Sequence, residues 1–89
     1  MARFEVIEDA MAETRTASAH PDILYDLGMM YATGRDCPID LVAAHKWLNI
    51  AAIKGCADAI NLRAKVASTM PKADLARALR EARDWMTIH

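Results

Sequence analysis

The sequence predicts an all-α, single-domain fold of about five helices joined as antiparallel hairpins. Three observations carry this. Alanine is the commonest residue, and Leu, Met, Arg, Lys and Glu supply much of the remainder, all good helix formers. Apolar side chains recur at three- and four-residue intervals, and no run alternates strictly between apolar and polar as a half-buried strand would. The three glycines and three prolines fall between the periodic stretches rather than inside them, apart from one glycine. Eighty-nine residues hold one core, with little margin of stability.

Taken in order, residues 3–16 place Phe4, Ile7 and Met11 on one face with Glu5, Glu8, Asp9 and Glu13 around them, which predicts a helix of about four turns. The stretch from Thr16 to His20 breaks it. Pro21 suits the first turn of a second helix, and Asp22 adds a charge favourable to its positive end. Leu24, Leu27, Gly28 and Tyr31 form its inward stripe, and Gly34 ends it by taking a left-handed conformation. After a short loop containing Pro38, Asp40 caps a third helix that carries Ala44, Trp47, Leu48, Ala51 and Ala52 inward and stops at Gly55. A fourth helix over 57–68 turns Ala59, Leu62 and Val66 inward. Pro71 punctuates, and a fifth helix over 72–87 has Leu75, Ala78, Leu79, Ala82 and Met86 on one stripe with Trp85 at its edge. Connections of two to six residues predict antiparallel neighbours.

Charge is nearly balanced overall and uneven along the chain. Residues 1–40 hold three basic against eight acidic side chains, a net of −5, and residues 41–89 hold eight basic against four acidic, a net of +4. That asymmetry fits a basic surface for nucleic acid or two ends that attract each other. The acidic, amphipathic start is unlike a signal peptide, and no apolar run approaches the roughly 20 residues of a membrane span, so the expected location is the cytoplasm. Cys37 and Cys56 form neither a Cys-x-x-Cys pair nor a zinc spacing and read as reduced thiols. About 15 helical residues at 1.5 Å each hold them roughly 20 Å apart, too far for a disulfide.

The most informative spacing lies in the middle of the chain. Leu27-Gly28 is followed by Tyr31, Gly34, Pro38 and Asp40, then by Ala44, Trp47, Ala51-Ala52, Gly55, Ala57 and Ala59. Gly28 and the alanines remove bulk where helix backbones approach, Tyr31 and Trp47 fill wider gaps, and Gly34 and Gly55 permit the turns. This pattern resembles the Sel-one-like repeat (SLR), a branch of the tetratricopeptide-like helical repeats. Residues 20–59 contain one SLR-type hairpin, its full unit spanning 23–59. Residues 60–89 are similar to the helix pair that closes bacterial members, with a Met70-Pro71 turn leading into a helix that ends in Trp85. Asp36 stands where the family usually has a second loop glycine, Cys37 where it has Val, and Leu48 where an aromatic usually follows the Trp. Residues 1–19 form an N-terminal helix that matches no repeat. The resemblance implies a right-handed superhelical stack and adaptor or scaffold work without chemistry or cofactors of its own.

Candidate chemistry is sparse. His45, on the third helix, has no carboxylate or thiol at metal-ligand spacing and reads as a partly buried helix residue. Asp22 and Asp26 lie one turn apart, but no nucleophile or apolar pocket accompanies them, so a solvated acidic face is the simpler reading. No phosphate loop, His-Glu-x-x-His or Gly-x-Ser-x-Gly occurs, and no enzyme is expected. Arg77, Arg80 and Arg83 could meet nucleic acid. Glu81 and Asp84 are placed to neutralise Arg77 and Arg80 at i,i+4, which argues against it. Met29, Met30, Ile50, Ile53, Met86 and Ile88 exceed what one thin layer can bury, so a homodimer continuing the stack is the main alternative to a protein or peptide partner. With Leu24, Leu27, Gly28 and Tyr31 turned inward, a 100° step leaves Asp22, Asp26, Met29 and Thr33 outward, flanked by Ile23 and Met30. Helical repeats of this type commonly expose the first helix of each unit, which makes that stripe the expected contact for a basic, partly apolar peptide.

Overall fold

The computed structural model describes residues 20–88, and the helix expected over 3–16 lies outside them. Among the described residues the chain is all-helical: α1 (Pro21–Thr33), α2 (Leu41–Ile53), α3 (Ala57–Ala67) and α4 (Lys72–Ile88). These match the second to fifth helices expected from the sequence.

Each end has a local cause. At the start of α1, Pro21 takes a position that needs no N–H donor, and His20 Nδ1 accepts from the Asp22 N–H at 3.2 Å. Gly34 closes α1 at φ 77°, its N–H donating to Met30 O at 2.9 Å. Asp36 also sits in the left-handed region, at φ 65°, where a side chain is tolerated best when it is Asn or Asp. Asp40 caps α2, its Oδ1 accepting from the Ala43 N–H at 3.1 Å. Cys56, which precedes α3, makes no such bond. The turn before α4 is tied down by the Thr69 and Met70 N–H groups, which donate to Val66 O and Ala67 O.

The α1–α2 hairpin is antiparallel. Asp40 N–H at the start of α2 donates to Tyr31 O near the end of α1, and deeper in both helices Gly28 lies against Ala44 and Leu48. A Cβ on Gly28 would stand 2.6 Å from Leu48 Cγ and 3.3 Å from Ala44 O, so only glycine fits this crossing. The sequence expectation put Trp47 on the seam. The structure puts Leu48 there instead and leaves Trp47 half-buried. Leu48 is completely buried.

Helix α2 is the hub. It packs against α1, α3 and α4, whereas α3 and α4 scarcely touch each other. The closing pair is therefore two separate helices leaning on α2 rather than a tight hairpin. Small side chains allow this, since Ala44 and Ala51 of α2, Ala59 of α3, and Ala78 and Ala82 of α4 are all buried. Leu24, Leu48 and Ile50 are the largest fully buried side chains, each contributing roughly 2 kcal/mol of apolar burial. Ile50, expected among the surplus surface apolar residues, thus belongs to the core. Ala57 is exposed and lines no close approach.

Two expectations on α4 are corrected. Trp85, placed at the edge of the stripe, is buried at 8% exposure, and its ring meets Trp47 edge-to-face at 5.4 Å. Leu79, placed inward, is 46% exposed. The buried face runs through Ala78, Ala82 and Trp85, about half a residue's rotation from the stripe read off the sequence, which already held Ala78 and Ala82. No helix among the described residues is long and apolar enough to cross a membrane, and Cys37 and Cys56 are free thiols.

Candidate interaction site

The outer face of α1 is where the sequence placed it, for the reason given by helical periodicity. Leu24 and Gly28 are buried against α2, which turns Asp22, Asp26 and Thr33 to the exposed side. Ile23 is 58% exposed on the flank of this face, next to Asp26 around the helix. Met29 and Met30 are half-buried, so they edge the face rather than project from it; Leu27 and Tyr31 are likewise half-buried on the opposite edge. Asp22 stays close to its own helix end, with Oδ2 3.6 Å from His20 Nδ1. Thr33 donates its hydroxyl to Met29 O at 2.8 Å, which leaves its methyl group as the outward feature. Asp26 is the carboxylate most available for an outside charge.

A second acidic surface opens at the other end of α1. Tyr31, Pro38, Ile39, Leu41 and Val42 line a shallow hollow of about 490 Å³ with Asp40 and Asp74 at its rim. Asp40 is already committed to the α2 cap, which leaves Asp74 as its less constrained charge.

The third surface was missed in the sequence. Between α2 and α4 runs an open groove of about 300 Å³, lined by Asn49 and Ile53 on one side and by Leu79, Ala82, Arg83, Met86 and Thr87 on the other. Its lining has a cation and no carboxylate. Arg77 pairs with Glu81 at 2.8 Å as expected. No Arg80–Asp84 ion pair forms among the described residues, so the neutralisation expected of α4 is only half present. The signal for this groove is the rotation of α4 by about half a residue, which depends on how that helix settles on α2.

His45 is the one buried titratable side chain of note, at 3% exposure, and its Nδ1 meets no hydrogen-bond partner among the described residues. Burial, with the Arg63 guanidinium adding to it, holds its imidazole below the usual histidine range. Arg63 itself donates from Nη1 to Asn49 Oδ1 at 2.6 Å and braces α3 against α2. No acid or nucleophile joins this group, so the geometry describes a neutral core histidine. Among the described residues no cluster of His, Cys, Asp and Glu is placed to hold a metal ion.

No protein-family model, curated protein or solved structure matches the chain.

Proposed function

We propose that the chain is a non-catalytic protein-binding module of the helical-repeat kind, whose hairpins stack with right-handed superhelical sense and whose outer α1 face holds a peptide or protein. The observation that carries this reading is the α1 stripe itself. A large apolar side chain, Ile23, stands exposed on the flank of the stripe that carries Asp22 and Asp26, with the methionines at the margins. Such a surface binds a basic, partly apolar segment, because the methionines adapt in shape and the carboxylates select charge.

The repeat reading draws support from two backbone details. Gly28 meets Leu48 and Ala44 closely enough to require glycine, which is the mechanical role of the Leu-Gly pair in the pattern. Asp36 takes a positive φ at the loop position where the pattern carries glycine.

The test is a paired substitution, Asp26→Arg with Met29→Glu, in a pull-down from the native host. Both changes lie off the buried stripe, so the melting temperature should stay within a few degrees of the parent. Partner retention should be lost. Undiminished retention would place the contact elsewhere and end this reading of the α1 face.

A further inference from the structure

We propose that the chain associates head to tail with a second copy of itself, the outer face of α1 in one copy seating in the α2–α4 groove of the next. This rests on the reading of the α1 face as a contact surface, and it names the partner.

The two surfaces complement each other in charge. At 100° per residue, Lys72 and Arg83 share the flank of α4 that carries Leu79 and Met86, Arg80 lies between that flank and Asp84, and Asp74 and Glu81 fall on the far side. Arg83 lines the groove, and Arg80 is exposed one turn before Asp84 without pairing to it among the described residues. The α1 face is the reverse, with Asp22 and Asp26 exposed and no cation from Pro21 to Thr33. Their apolar content also corresponds: Ile53 at 59% exposure, Leu79 and Met86 on the groove, and Ile23, Met29 and Met30 on the helix. A helix with an acidic stripe flanked by apolar side chains fits a groove with apolar walls and a cation in its lining.

The positions of the two surfaces determine the kind of assembly. Helix α1 lies on the side of α2 that carries Ala44 and Leu48, whereas the groove uses Asn49 and Ile53. Ala44 and Ile53 are half a turn apart around α2. The donor face and the receiving groove therefore sit on opposite sides of the molecule, so each copy has one of each to offer. Such contacts are heterologous and propagate along a line, where a two-fold dimer would close on itself. The incoming α1 lies where a further hairpin would continue the stack.

Two single charge reversals test this in the full-length protein: Asp26→Arg, which spoils the donor face, and Arg83→Glu, which spoils the groove. Sedimentation from about 10 µM to about 1 mM is the readout, with thermal melts confirming that both variants fold. The average mass of the wild type should climb above one chain with concentration and drop in high salt. Each variant alone should remain a monomer, its association weakened at least about tenfold. The equimolar mixture should associate again beyond one chain, because the Asp26→Arg copy keeps a groove for the intact donor face of the Arg83→Glu copy, and the two reversed charges complement each other in the opposite contact. A mixture no larger than its components overturns the head-to-tail contact, as does association of either variant at wild-type strength. A wild type that stays monomeric at about 1 mM overturns self-association itself, while capture of an outside partner by the α1 face stays separately measurable.

Discussion

The α1–α2 hairpin and the α3–α4 pair are made from similar residues and joined by short connections, yet only the first packs as a hairpin. In α1–α2 the crossing is matched at the level of atoms, with Gly28 opposite Leu48 and the chain turning through left-handed Gly34 and Asp36 into the Asp40 cap. In α3–α4 no glycine lies on either helix, and each leans on α2 through its own small residues, Ala59 on one and Ala78 and Ala82 on the other. A short connection brings two helix ends together. It does not make the helices touch along their length, which requires a seam with room for both backbones.

The largest expected effect bears on the matched seam. Gly28→Leu should abolish the cooperative melt, because the first added carbon already collides with Leu48. A finer version uses Gly28→Ala, which should lower stability by about 1–3 kcal/mol. Leu48→Ala should then cost less in that background than in the wild type, as urea denaturation of the double-mutant cycle would show. Additive losses would mean the two side chains do not compete for one space.

Next in size is Trp85→Ala, which should cost about 3–5 kcal/mol by leaving a cavity between α4 and α2. Trp47→Ala should cost less, since that ring is half-buried with Lys46 Nζ 4.4 Å above it. The reverse ranking would mean that Trp47, rather than Trp85, carries more of the α2–α4 contact.

The α2–α3 contact should respond to pH through His45. Its folded pKa lies below the unfolded value of about 6.5, so the unfolded chain takes up the proton first as pH falls. Stability should be complete above about pH 6.5 and decline below it until the folded pKa is passed. Melts at several pH values should show this slope, and His45→Gln should flatten it. An unchanged slope in that variant would assign the acid sensitivity to other groups.

The smallest effect concerns the loop of the hairpin. Asp36→Gly should raise stability by up to about 1 kcal/mol, since a left-handed backbone strains a side chain more than it strains glycine. A loss would show that the Asp36 side chain contributes more than its backbone strain.

Reading ahead from sequence succeeded where the cause is local. The spans of α1, α2 and α3, the turn at Gly34, the Asp40 cap and the outward position of Asp22, Asp26 and Thr33 follow from residues within one or two turns of each other. Ile50, Trp85 and Leu79 were misplaced, and each is a question of which neighbour a helix face meets. Periodicity shows that a helix has a buried stripe, but on α4 alanines and larger apolar residues compete to define it. Ala78 and Ala82 lie on the stripe read from the sequence and are buried, while its centre turns away from Leu79 and toward Trp85.

The sequence by itself determined an all-α chain, its helix boundaries, its glycine-dependent crossing and its acidic first face, because backbone propensity, capping and helical spacing act over a few residues. Only the tertiary structure decided that α2 is the hub, that α3 and α4 stand apart, and that α4 turns Trp85 inward and Leu79 outward. The physical reason is close approach. Two helices gain most dispersion and apolar burial when their backbones come near, so alanine faces, rather than the most hydrophobic ones, choose the contact. That choice left Leu79, Met86 and Arg83 along an open groove.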